Sequence, residues 1–162
     1  MTGKTKVTTS GDHEIVITRV FDAPRELVWK TSMDPARIPR WWGPARMKTI
    51  VEKMDVKLGG TWRFVQRDAA GTEYGFHGEY RDIIPSRRLV QTFEYEGMPG
   101  HVSVETSTFE NMGSKTKLTI TDRFDSVEDR DGMLQSGMEE GLTESHDRLE
   151  ALLAELQKGK KR

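Results

Sequence analysis

His77 and Glu79 lie two residues apart and would project from one face of an extended strand, a pairing that suits two ligands of a metal ion or an acid and its base. No third ligand stands at a recognisable spacing, so no metal is expected, and a solvent-side polar row beside Arg81 is the plainer reading. Tyr80 and Asp122 would bring a hydroxyl and a carboxyl into an otherwise apolar pocket, as a cyclase needs. His77 and Asp122 are thus the catalytic candidates. His146 falls on an apolar helix stripe and reads as a core-edge histidine, while His13 and His101 begin strands and are given no role. The chain contains no Gly-x-Ser-x-Gly elbow, no Gly-x-Gly-x-x-Gly turn, no Walker loop and no His-Glu-x-x-His. With no Cys, it also excludes disulfides, thiolate catalysis and Cys-based zinc or iron–sulfur sites, and no cofactor is expected.

Binding chemistry has more to work with. Four Trp, six Phe and eight Met form a large soft and aromatic inventory for a chain that is 31% charged. Trp41, Trp62, Phe64, Phe76, Tyr80, Phe93, Phe109, Met138 and Leu142 are the candidates for the wall of a ligand cavity. Taken singly, each serves equally as ordinary core. The case for a cavity rests on Gly137 and Gly141, four apart on a long helix, because helical Gly is unfavourable and removes wall volume beside Met138 and Leu142. Close approach of a strand explains the same glycines equally well.

Lys and Arg number 25 against 26 Asp and Glu, a net charge of −1, which lacks the basic footprint of a nucleic-acid binder. No stretch approaches 18 uninterrupted apolar residues and no apolar export segment opens the chain, so neither membrane nor secretion is expected and a cytoplasmic location is the default. The 162 residues suit one domain. Residues 1–12 are expected to be disordered or extended, residues 13–157 to form the domain, and residues 158–162 a basic tail.

The positioning elements follow from periodicity. His13 to Phe21 reads as a β-branched strand, Asp22-Ala23-Pro24 and Asp34-Pro35 each open a short helix, with Asp22 as a capping side chain, and strand follows strand from Met47 to Phe124 across Gly- and Pro-containing turns. Trp62 and Phe64 share one face, as do Tyr74, Phe76 and Tyr80, then Leu89, Phe93 and Tyr95, then Leu118, Ile120 and Asp122. Ser126 with Asp129 signals a helix start, and an apolar stripe at helical spacing from Leu134 to Leu156 predicts one long helix to about residue 156. An α+β layout results, with an antiparallel sheet of six to seven strands bent around that helix.

The motifs Phe21-Asp22-Ala23-Pro24, Trp41-Trp42-Gly43-Pro44, Asp55-Val56-Lys57-Leu58-Gly59-Gly60-Thr61-Trp62 and Gly78-Glu79-Tyr80, with Ile83 to Val90 and Gly137-Met138 through Leu149, resemble the single-domain homologues of the activator of heat-shock-chaperone ATPase. These AHSA-type proteins belong to the START-like, SRPBCC superfamily. The resemblance covers about residues 13–156, with Lys57 where the family commonly carries Arg, which keeps the charge but loses the planar fork of donors. It implies a helix-grip fold: a curved sheet around a C-terminal helix, two short helices closing one end, and a cavity between sheet and helix. Relatives bind hydrophobic small molecules there, some cyclise polyketides, and the eukaryotic activator docks on a protein. The leading expectation is non-enzymatic binding of a small hydrophobic or aromatic molecule. The alternatives are a polyketide-cyclase-like or hydrolase-like enzyme using Tyr80, Asp122 or His77, and a chaperone-ATPase regulator acting through protein binding. No separate chaperone-binding domain is recognisable, so a chaperone partner is the least expected, and a homodimer is left open.

Overall fold

The computed structural model describes residues 4–160; Met1–Gly3 and the last two residues of the expected basic tail lie outside the described residues. Eight strands form one antiparallel sheet: β1 (Lys6–Ser10), β2 (Glu14–Phe21), β3 (Lys48–Met54), β4 (Thr61–Arg67), β5 (Glu73–Ile84), β6 (Arg88–Tyr95), β7 (Val102–Met112) and β8 (Lys115–Arg123). Their order is β1-β2-β8-β7-β6-β5-β4-β3, so β3 to β8 run as a meander while the first hairpin closes on the last strand. Helices α1 (Arg25–Ser32) and α2 (Ile38–Trp41) interrupt the chain between β2 and β3, and α3 (Val127–Gln135) and α4 (Met138–Lys160) end it. Bulges between Val51 and Lys53 and between Tyr80 and Asp82 add bend and twist to β3 and β5, helping the sheet wrap α4.

The strand count exceeds the expected six to seven by the edge strand β1. Val7 is the one apolar residue of Lys6–Ser10, so no alternation advertises the strand; it is held by its pairing with β2, from Lys6 opposite Thr18 to Ser10 opposite Glu14. The helix start at Ser126 is as expected, its hydroxyl accepting from Asp129 N at 3.0 Å. Asp22 does not cap α1, whose N-cap is Pro24; its N–H instead donates to Glu150 Oε2 of α4 at 3.0 Å.

The single long helix is two. Gly137 takes φ +84°, a left-handed conformation that ends the helical run between Gln135 and Met138. The apolar stripe crosses the joint without losing phase, which is why periodicity alone reads through it. Beyond the joint the C-terminal half of α4 is firmly packed: Leu149 and Leu153 join Phe21, Ala23, Val28, Phe109 and Leu118 in a closed cluster. Met138 and Leu142, in the first two turns, are only partly buried.

Candidate functional site

Between the concave face of the sheet and the first half of α4 lies a cavity of about 480 Å³. All nine residues proposed for a ligand wall border it: Trp41 from α2, Trp62 and Phe64 from β4, Phe76 and Tyr80 from β5, Phe93 from β6, Phe109 from β7, and Met138 and Leu142 from α4. Period-two alternation makes this possible, because each strand sends its aromatic residues to one side. The rings pack against one another, tilted where Trp62 lies 4.8 Å from Phe64 and 6.0 Å from Phe93 and where Phe76 lies 5.8 Å from Phe93, and edge-on where Trp42 lies 5.1 Å from Phe64, between centroids. Trp42 was not among the sequence candidates. Gly141 borders the same void, and a Cβ added there would meet no atom within 4 Å, so the space beside the helix is open and no strand approaches it. Gly137 is likewise unobstructed, but its role is the helix joint rather than wall relief.

One end is closed by the segment after α2. Gly43 N–H donates to Ser145 Oγ at 2.7 Å, Arg148 Nη1 donates to Gly43 O at 2.6 Å, and Ala45 N–H donates to Glu144 Oε2 at 2.6 Å. Three bonds thus fasten this loop to Glu144, Ser145 and Arg148 of α4, and the short helices cap the cavity rather than hang from it.

The candidate chemical residues separate. His77 is on the convex face, away from the cavity, with Nδ1 2.8 Å from Glu96 Oε2 and Nε2 3.3 Å from Glu94 Oε1. Glu96 also accepts two bonds from the Arg63 guanidinium, at 2.8 and 2.7 Å, and this pairing holds its carboxyl at about 2 despite an opposing desolvation. Arg63 bridges on to Glu52. His77 therefore sits in a surface ion network with Arg81 and Glu79 nearby on the same face, the polar row that strand parity favours. Among the described residues no group of three or more His, Asp or Glu side chains is placed to hold a metal ion.

Tyr80 and Asp122 do face the cavity, both nearly fully buried. Burial pushes the Tyr80 hydroxyl well above its ordinary pKa, so it is a neutral donor. Asp122 lies opposite Glu105 of β7, and Glu105 opposite Gln91 of β6; Glu105 and Gln91 both border the cavity and neither was a sequence candidate. Parity held the signal: Gln91 shares the phase of Leu89 and Phe93, and Glu105 that of Phe109.

His146 also borders the cavity and is pinned from behind. Thr5 Oγ1 is 2.8 Å from His146 Nδ1 and accepts from Arg19 Nη1 at 3.2 Å, so the Thr5 hydroxyl proton is free to point at Nδ1. Burial first, and the Arg19 charge second, lower the His146 pKa to about 4 from 6.5. The folded state thus favours neutral imidazole, so its stabilising contribution is complete above about 6.5 and disappears as pH falls toward 4. The loss reaches about 3 kcal/mol. Denaturant titrations at stepped pH should show a fall in stability across this window that His146→Gln lacks; an identical pH slope in the two proteins would contradict the assignment.

Comparison with known proteins follows the same architecture. Residues 22–154 match the family described as Activator of Hsp90 ATPase homolog 1-like protein. A protein from Arthrobacter aurescens, solved by NMR, is 27% identical, with a TM-score of 0.84 over 93% of this chain and 91% of that one. A crystal structure from Rhodobacter sphaeroides superposes with a TM-score of 0.88 at 22% identity over 93% and 98% of the two chains, and one from Mycobacterium smegmatis with 0.83 at 24% over 93% and 96%. No curated protein matches the chain. No helix among the described residues is long and apolar enough to cross a membrane. With the match running from the turn after β2 to the last buried turns of α4, around a helix-grip sheet of the START-like type, the chain belongs to the Activator of Hsp90 ATPase homolog 1-like family.

Proposed function

We propose that this protein is a non-enzymatic receptor for a small hydrophobic or aromatic molecule held between the sheet and α4. The observation that carries the reading is the cavity itself: about 480 Å³, within the roughly 300–1,000 Å³ span of small-molecule sites, and lined by aromatic rings and Met side chains from separate elements. A folded chain ordinarily fills such a space with its own side chains, since a dry void forfeits dispersion contacts. Here Gly141 stands where any larger residue would enter the space. Family membership agrees with a ligand-binding or regulatory role in general.

The test uses a neutral aromatic probe, 1-naphthalenemethanol. Trp41, Trp42 and Trp62 border the cavity, so binding should give a saturable change in tryptophan fluorescence. The expected Kd is roughly 1–100 μM for a ligand of this size. A linear, unsaturating response to the solubility limit would count against the receptor reading.

A further inference from the structure

One stretch of the cavity wall is not apolar. A row runs across the concave floor, one residue from each of four neighbouring strands: Tyr80 opposite Gln91, Gln91 opposite Glu105, Glu105 opposite Asp122. All four border the cavity. Gln91 Nε2 donates to Glu105 Oε1 at 3.1 Å, and Glu105 and Asp122 lie directly opposite each other across β7 and β8. Asp122 is 5% exposed, and its Oδ1 has no partner among the described residues. Glu105 is enclosed by protein yet retains accessible surface, which faces the void.

Two carboxyl groups facing each other across adjacent strands, out of bulk water, resist double ionisation, so the pair holds at least one proton, and a cation beside it favours the singly charged form. Both groups titrate higher than an ordinary carboxyl, chiefly through burial. The pair is also rich in acceptors: four carboxyl oxygens face the retained proton and the Gln91 amide. Nothing in the lining answers that charge. Arg46 is the one Arg or Lys on the cavity border and is exposed, while His146, facing in from α4, is neutral at physiological pH. Ser103 and Ser107 of β7 add only hydroxyls. Beside the pair stands Phe93, two residues from Gln91 on the same face, with Phe76 and Trp62 in ring contact with it, and aromatic faces attract cations.

We propose that the cavity selects apolar or aromatic molecules that end in a protonated amine, its N–H groups donating to the Glu105–Asp122 pair and its body lying among the rings of Phe93, Phe76 and Trp62. This rests on the receptor reading above and adds the chemical class of the guest. A neutral alcohol of the same shape fits the rings but leaves the charge unanswered; a carboxylate meets like charge.

The experiment compares three probes of one skeleton by isothermal titration near neutral pH: 1-naphthylmethylamine, 1-naphthalenemethanol and 1-naphthoate. The amine should bind about tenfold or more tightly than the alcohol, and the carboxylate more weakly than either. In the double variant Glu105→Gln/Asp122→Asn, both changes near-isosteric, the amine-to-alcohol affinity ratio should shrink to about twofold, because either carboxyl left alone could still carry the single charge. Equal affinities for amine and alcohol in the unaltered protein would overturn the proposal and leave the receptor reading intact, and that comparison needs no variant to fold. Survival of the full advantage in the double variant would also overturn it. Failure of all three probes to bind would remove the receptor reading together with its refinement.

Discussion

Arg19→Met should unfold at markedly lower denaturant concentration, with stability reduced by about 3–5 kcal/mol, the cost of breaking a buried ion pair from one side. Arg19 holds an inward position of β2, between Ile17 and Phe21, and is only 3% exposed. Its guanidinium donates to Asp147 Oδ1 at 2.8 Å and to Thr5 Oγ1 at 3.2 Å, lies 3.6 Å from Glu150 Oε1, and sits 5.4 Å over the Phe21 ring. Asp147 is largely exposed and would be rehydrated without it. Glu150 is not: it is buried, its Oε1 has no hydrogen bond, and its charge would be left without a counterion. Adding Glu150→Gln to Arg19→Met should therefore recover a substantial part of the loss, which equilibrium unfolding of the single and double variants measures. A cost below about 1 kcal/mol for Arg19→Met would mean that this contact between strand and helix is incidental.

Gly141→Phe should weaken binding of 1-naphthalenemethanol by about tenfold or more without lowering stability. Gly141 lies on α4 between Met138 and Leu142, the two partly buried residues of the stripe, and nothing stands within 4 Å of an added Cβ. The ring would enter the guest's space, and the helix would lose an unfavourable residue worth about 0.5–1 kcal/mol relative to Ala. Gly141→Ala separates the two effects: it should gain the helical term and keep most of the affinity, as read by thermal unfolding and fluorescence titration together. If Gly141→Phe binds the probe as well as the unaltered protein does, the guest is not beside α4.

Much of the architecture was legible because period-two alternation survives wherever one face of a strand is apolar. Trp62 with Phe64 and Phe76 with Tyr80 both followed from it. The same rule hid the polar residues of the inner face. Arg19, Gln91 and Glu105 occupy inward positions, in phase with Phe21, Phe93 and Phe109, but a polar residue in an alternating strand reads as an irregularity rather than as part of the inner face. Only the coordinates show that Glu105 meets Asp122 across a strand pair, because register cannot be read from one chain of letters. Strand β1 left no pattern, as its polar residues are exposed on both sides. The joint at Gly137 was masked by a stripe that keeps its phase through the break. His77 with Glu79 shows the converse, a suggestive spacing that resolves into a surface ion network.

The methionines allow the receptor claim to be tested at its location. Met33, Met47, Met54, Met133 and Met138 border the cavity, whereas Met98 and Met112 are exposed elsewhere. With 13C-methyl methionine labelling, titration of 1-naphthalenemethanol should shift resonances of the first group, through ring currents of the bound probe, and leave those of Met98 and Met112 in place. Unmoved cavity methyls at saturating probe, or shifts centred on Met98 and Met112, would contradict the account.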